Sequence, residues 1–244
     1  MDEEMIGLSS MATRPILAEL SQWIGRAHGI AVRFGSAGGV EVARRVREGL
    51  VADVLVLADD ALAALAVEGQ VLAGTVRPLW ISPVVAAVPQ DAAAAVPDLD
   101  SPAGLRNALL TARRIAYSTG PSGTAVLDLI ARLGLADTLR ERLVQAPPGV
   151  PVGSMLASGD ADLAFQQHSE LMGLPGVGVI GPLPGDAAIT STFSGAVMAT
   201  SSRPTRALDV LALLGTDEAS AVARARGMRA PDRAEGATPG PGGC

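Results

Sequence analysis

Short β-rich runs alternate with longer stretches whose apolar residues recur at helical spacing, and this alternation leaves few folds open. The runs 5–8, 30–34, 53–57, 79–88, 114–117, 162–165, 177–180 and 190–198 read as strands. Between them, Ile16, Leu17, Leu20 and Ile24 form one helical stripe, and Val126, Leu129, Ile130 and Leu133 form another. Strands that alternate with helices pair in parallel and bury both sheet faces under helices. The fold class is therefore α/β, doubly wound. Two long extended passages, 79–90 with Pro83 inside and 190–199, flank a central α/β block. They divide the chain into two lobes, 1–82 with 195–230 and 83–194, joined by extended strands. The tail 231–244 is rich in Gly, Pro and Ala with almost no apolar content, and is expected to be disordered.

A chain of 244 residues, 48% of them hydrophobic, can bury a substantial core. At this length roughly 70–75% of the unfolded surface leaves water on folding. With three Phe, two Trp and one Tyr the core must be aliphatic. All 19 basic residues are Arg, so a Walker-type phosphate loop and a lysine Schiff base are both excluded. The net charge of −6 and the sparse aromatics argue against a nucleic-acid surface. Cys244, the one cysteine, can neither pair internally nor anchor a metal cluster, and no metal or cofactor is expected. No run approaches the ~18 apolar residues that span a bilayer, so no membrane insertion is expected. The start Met1-Asp2-Glu3-Glu4 has the wrong charge for a signal peptide. As written, the sequence predicts a cytoplasmic protein, or a periplasmic or extracellular one if a leader has been removed.

The chemistry lies where strands hand over to helices. Ser9-Ser10 ends the first strand and Gly35-Ser36-Ala37-Gly38-Gly39 the second. Ser118-Thr119-Gly120-Pro121-Ser122-Gly123-Thr124 follows the run 114–117, and Pro148 to Gly153 precedes a short helical run over 154–158. A helix N-terminus presents free N–H groups and about half a positive charge. Small residues let an anion approach that backbone, and hydroxyls add donors. Several such ends around one crevice would hold a small anion without any lysine. The bland reading is that Ser, Thr and Gly merely cap helices.

These handovers, with Ala52-Asp53-Val54, Tyr117-Ser118 and Gly159-Asp160-Ala161-Asp162-Leu163-Ala164, make the sequence resemble the type II periplasmic solute-binding proteins over about residues 5–230. Within them it is most similar to the molybdate-binding branch. The resemblance implies two α/β lobes closing on a ligand in the cleft between them, and an ABC permease as partner. It places ligand hydroxyls at Ser9 or Ser10 and at Ser36, and backbone donors near Ser122, Gly123, Thr124 and Val152. Molybdate binders carry a tyrosine where this chain has Gln167, which shifts the expectation toward another small anion.

The same branch is similar to aconitate isomerase, which moves a proton and a double bond in a small tricarboxylate. That chemistry needs a base beside a carboxylate and groups that hold developing negative charge. Arg14 is the candidate carboxylate clamp. The cluster Gln166-Gln167-His168-Ser169-Glu170 supplies further polar groups, with His168 as proton carrier and Glu170 as its substitute. Binding of a small anion, as an oxyanion or a di- or tricarboxylate, is the first reading, and an isomerase on the same scaffold is the alternative. His28 reads as a favourable helix C-terminal charge, Arg44, Arg45 and Arg47 as a solvated helix face, and Asp53 as a local cap or a residue of the crevice mouth.

Overall fold

A computed structural model describes residues 4–95, 99, 101–147 and 149–231. The first βαβ unit is β1 (Met5–Ser10), a 3-10 turn (Met11–Thr13), α1 (Arg14–His28), β2 (Val32–Ala37) and α2 (Gly39–Arg47). β3 (Val54–Ala58) and α3 (Asp59–Val67) follow, and then the long β4 (Arg77–Pro89). After a 3-10 turn at Gln90–Ala95 come α4 (Pro102–Thr111), β5 (Ile115–Tyr117), α5 (Pro121–Arg132), α6 (Ala136–Leu139) and β6 (Leu143–Gln145). α7 (Val152–Ala157), β7 (Leu163–Gln167), α8 (His168–Leu171), β8 (Val177–Pro182) and β9 (Thr190–Val197) complete the middle of the chain. α9 (Pro204–Leu214) and α10 (Asp217–Ala225) end the described part.

Each expected strand is present with its ends moved by up to three residues, and β6 is an addition to the sequence reading. The passage 89–102 contains the 3-10 turn at Gln90–Ala95 and the start of α4. Of the tail expected to be disordered, all but Pro231 lies outside the described residues. Among the described residues no helix is long and apolar enough to cross a membrane.

The strand order is β2-β1-β3-β9-β4-β7-β5-β6, with β8 also pairing with β4. β1 pairs in parallel with β2 and β3, and β5 with β6 and β7, whereas β4 and β9 run antiparallel to their neighbours. β4 is the structural joint. Its residues 77–83 pair with β9, and its residues 84–89 pair with β7 and β8. A strand that changes partners midway ties two sheets into one body while letting each have its own core.

The buried apolar residues fall into four clusters, one for each face of each sheet. In the first lobe, Ile16, Leu17, Leu20 and Ile24 of α1 pack with Val210, Leu211 and Leu214 of α9 on one face. Val42, Val46, Leu62 and Leu65 of α2 and α3 cover the other. In the second lobe, Leu105, Val126 and Ile130 lie on one face and Val152, Met155 and Leu171 on the other. Each such buried Leu or Ile contributes roughly 1.5–3 kcal/mol relative to exposure. The cores are aliphatic, and Trp80 and Phe165 are their largest fully buried aromatics.

Candidate functional site

The register of β1 against β2 places Ser9 opposite Ser36, and their Oγ atoms are 2.7 Å apart. Ser9 is fully buried and Ser10 nearly so. The start of α2 closes on the same point, since a Cβ built on Gly39 would lie 3.9 Å from the Ser10 Cβ. Thr13 Oγ1 donates to the Ser10 carbonyl at 3.2 Å, tightening the turn between β1 and α1. This gathers four hydroxyls, those of Ser9, Ser10, Thr13 and Ser36, beside the N-termini of two helices.

Capping does not account for them. No side chain caps α1, α2 or α5, and the Ser10, Ser36, Ser118 and Ser122 hydroxyls bond to no helix N–H among the described residues. Where this chain does cap with a hydroxyl it does so plainly: Ser101 accepts from Gly104 N–H in α4, and Thr216 from Ala219 N–H in α10.

The second lobe repeats the pattern at Ser118 and Ser122, whose Oγ atoms are 2.9 Å apart. Gly123 is required here. A Cβ at that position would lie 1.9 Å from the Ser118 carbonyl oxygen, a backbone atom that cannot yield. The backbone donors expected at Gly123 and Thr124 are already engaged, both bonding the Gly120 carbonyl, at 2.9 and 3.2 Å. The Val152 N–H is engaged as well, donating to Gln166 Oε1 at 3.1 Å. Gln166 occupies the end of α7 that the sequence reading left open.

Gln166 also donates from Nε2 to Glu170 Oε2 at 2.6 Å. Burial pushes the Glu170 carboxyl up to about 7, and the Gln166 hydrogen bond only partly opposes it. Gln167 is buried. Its Nε2 donates to Ser191 at 2.7 Å, while its Oε1 has no partner among the described residues.

His168 points elsewhere. Its ring lies against the backbone of Gly227, where an added Cβ would come within 2.5 Å of Nδ1. Burial lowers its pKa and a hydrogen bond with the Gly227 backbone opposes that shift. Arg14 is exposed at the start of α1 with no ion pair among the described residues. Asp53 is neither a cap nor a residue of the crevice mouth. It is buried at the opposite end of β3, accepting from Ile6 N–H (2.9 Å), Ser201 (2.7 Å) and Arg203 (3.1 Å), and its role is structural.

A cavity of about 350 Å³ opens between the lobes. Its wall combines Ala58 from the end of β3, Asp59 and Asp60 from the start of α3, Pro121 and Ala125 from α5, and Thr190, Ser191 and Thr192 from β9, whereas Ser9, Ser36, Ser118, Ser122, Arg14 and Glu170 do not line it. Asp59 accepts the Ser194 hydroxyl and Asp60 accepts Ala61 N–H at 2.8 Å, so both carboxylates are held by protein donors. Sequence reasoning passed over Asp59, Asp60 and Ser191. The first two follow a strand just as Ser9-Ser10 does, which was the available signal; Ser191 sits inside a strand and gave none.

Comparison with known proteins is consistent in direction. The family model of the bacterial extracellular solute-binding proteins matches residues 7–229. An aconitate isomerase of Pseudomonas sp. is 30% identical over 181 residues, covering 73% of this chain and 67% of that one. The periplasmic molybdate-binding protein of Azotobacter vinelandii superposes with a TM-score of 0.79 at 22% identity, over 93% of this chain and 100% of that one. A sulfate-binding protein of Mycobacterium tuberculosis gives 0.76 at 16% identity, over 94% and 87%. At these identities the solved structures speak to the fold, two α/β lobes.

Proposed function

This chain belongs to the bacterial extracellular solute-binding protein family, and from that premise we propose that it binds a small anion in the cleft between its lobes. One observation carries the reading: paired hydroxyls, Ser9 with Ser36 and Ser118 with Ser122, stand beside helix N-termini that no side chain caps. Such groups donate to an anion, and the aligned peptide dipoles add attraction that the net charge of −6 does not provide. Location outside the cytoplasm and delivery to an ABC permease go with the family and complete the proposal.

Among small anions, the guanidinium at the start of α1 favours a carboxylate. Arg14, exposed and unpaired among the described residues at the start of α1, offers a planar fork to one carboxylate.

A second reading, an isomerase of the aconitate type, draws on Glu170. A carboxyl pushed up to about 7 is balanced between holding and releasing a proton at neutral pH, as a general base requires. In that reaction Glu170 would take the proton from the carbon next to a carboxylate and return it at the far end of the allyl system. His168, set against Gly227, would take no part.

Thermal shift against molybdate, sulfate, phosphate, citrate and both aconitate isomers tests the first reading. At a hundredfold excess over its Kd the right anion adds roughly 2.7 kcal/mol, a rise of about 5–10 °C. No shift with any of the six rejects anion binding. Following trans-aconitate by NMR in the same sample tests the second reading, which unchanged substrate over hours at high protein concentration would eliminate.

A further inference from the structure

α8 is only four residues long, yet it touches the first lobe at two places of different character. Ser169 is buried and donates its hydroxyl proton to the Ala12 carbonyl at 2.7 Å, across 157 residues of sequence. Ala12 belongs to the turn between Ser10 and Arg14, at the cleft end of β1. The other contact is the His168 ring against Gly227, whose backbone has φ of +78° and whose missing Cβ makes the space. The segment carrying Gly227 is fixed to the joint strand: Ile81 and Arg229 exchange both backbone hydrogen bonds, at 2.7 and 2.9 Å, and Met228 is buried in the first lobe's core.

These two contacts are tied to the joint strand differently. Ile81 sits two residues before β4 changes partners at Pro83–Val84, so the segment carrying Gly227 is anchored at the joint. Ala12 follows β1, which pairs with β2 and β3 and not with β4, so its contact with Ser169 is not fixed by the joint strand.

We propose that the Ser169–Ala12 hydrogen bond is a latch that holds the lobes closed and fixes the first-lobe turn between Ser10 and Arg14, with His168 on Gly227 as its pivot. The proposal builds on anion binding between the lobes, since it names what sets the closure of that cleft. The bond biases the lobes without locking them. On opening, both groups regain water, so the net contribution of one such hydrogen bond is modest. A bias toward the closed form raises apparent affinity by enlarging the binding-competent fraction. Ser169 is thus a positioning residue and needs no contact with the ligand.

The test is Ser169→Ala beside Ser169→Thr, which keeps the hydroxyl. Without ligand, Ser169→Ala should show a larger radius of gyration by X-ray scattering. Amides of the segment 11–16 should exchange about tenfold faster, with far-UV dichroism unchanged. Ser169→Thr should stay close to the parent in scattering and exchange. With molybdate, citrate and trans-aconitate as probes, Ser169→Ala should weaken whichever binds by about 3- to 10-fold, through faster dissociation. A variant with the parent's scattering and exchange overturns the latch, even if its melting temperature falls. Should none of the probes bind, the functional reading fails while scattering and exchange still decide the latch.

Discussion

The two lobes present the same kind of strand-to-helix handover, a bonded serine pair beside an uncapped helix, and differ in the donors around it. In the first lobe, among the described residues, the Ser9 and Ser36 hydroxyls bond only each other, and α1 and α2 begin without side-chain caps. In the second, Val152 N–H is engaged by Gln166, Gly123 and Thr124 N–H by Gly120, and Gln167 Nε2 by Ser191. The second has largely satisfied its own donors and holds a neutralisable carboxyl, Glu170, behind them. The contrast predicts that affinity comes mainly from the first lobe, which would make the lobes separable by substitution.

The harshest way to break the second lobe is Gly123→Ala. Its Cβ would sit 1.9 Å from a backbone oxygen, so the Ser118–Thr124 loop must rebuild. We expect a loss of about 3 kcal/mol or more, read as a melting fall of roughly 6–12 °C at this chain length. Melting within a degree or two of the parent would mean that this loop is far softer than drawn.

Glu170 gives the next largest effect, and its sign is fixed by the direction of its shift. The folded protein holds the proton more tightly than the unfolded chain, with the carboxyl raised from 4.5 to about 7. Its contribution is therefore complete below about pH 4.5 and is lost as pH rises through about 7. The full span is up to about 3 kcal/mol. Glu170→Gln should flatten the stability-versus-pH curve across that window and leave the curve below it unchanged. An identical slope in the parent and the variant would place the titration elsewhere.

Ser36→Ala and Ser122→Ala sharpen the comparison directly. A hydrogen bond to a charged ligand is worth about 1.5–3 kcal/mol, so loss of Ser36 should weaken anion binding about 10- to 100-fold by calorimetry. Ser122→Ala should cost less, and neither should shift melting by more than a few degrees. Equal losses would show that both lobes grip the ligand alike.

Much of this arrangement was legible in the sequence because it depends on strand ends. The eight apolar runs mark eight of the nine strands among the described residues, and the polar residues that stop them mark the handovers. β6 escaped because Leu143, Val144 and Gln145 form a short edge strand with no fully buried position and no apolar alternation. The Ser9–Ser36 pair follows from the ends of two strands, although its contact needed the register of β1 on β2. What the sequence could not convey was which donors are already taken. Val152 N–H is engaged by a side chain 14 residues away, and nothing local announces it. The raised carboxyl of Glu170 is not legible either, because its burial comes from where α8 packs and not from its neighbours in sequence. His168 carries the composition of a proton carrier, but Gly227, far along the chain, determines where its ring lies.

The smallest expected effect separates ligand classes within the first lobe. Arg14 stands one turn from Ser10, exposed, at a helix start where its charge opposes the dipole. Alone it is mildly unfavourable there, so its removal should leave stability unchanged or slightly improved. A bound carboxylate would offset that repulsion and accept two parallel N–H bonds from the guanidinium, whereas a compact tetrahedral oxyanion held by Ser9, Ser36 and helix N–H groups offers the fork no equivalent flat edge. An exposed charge pair is worth about 0.2–1 kcal/mol. Arg14→Ala should therefore weaken citrate or aconitate by about 2- to 5-fold and molybdate hardly at all, both read by calorimetry at low salt. Equal losses for the two classes would reduce Arg14 to a long-range charge and remove the preference for carboxylates.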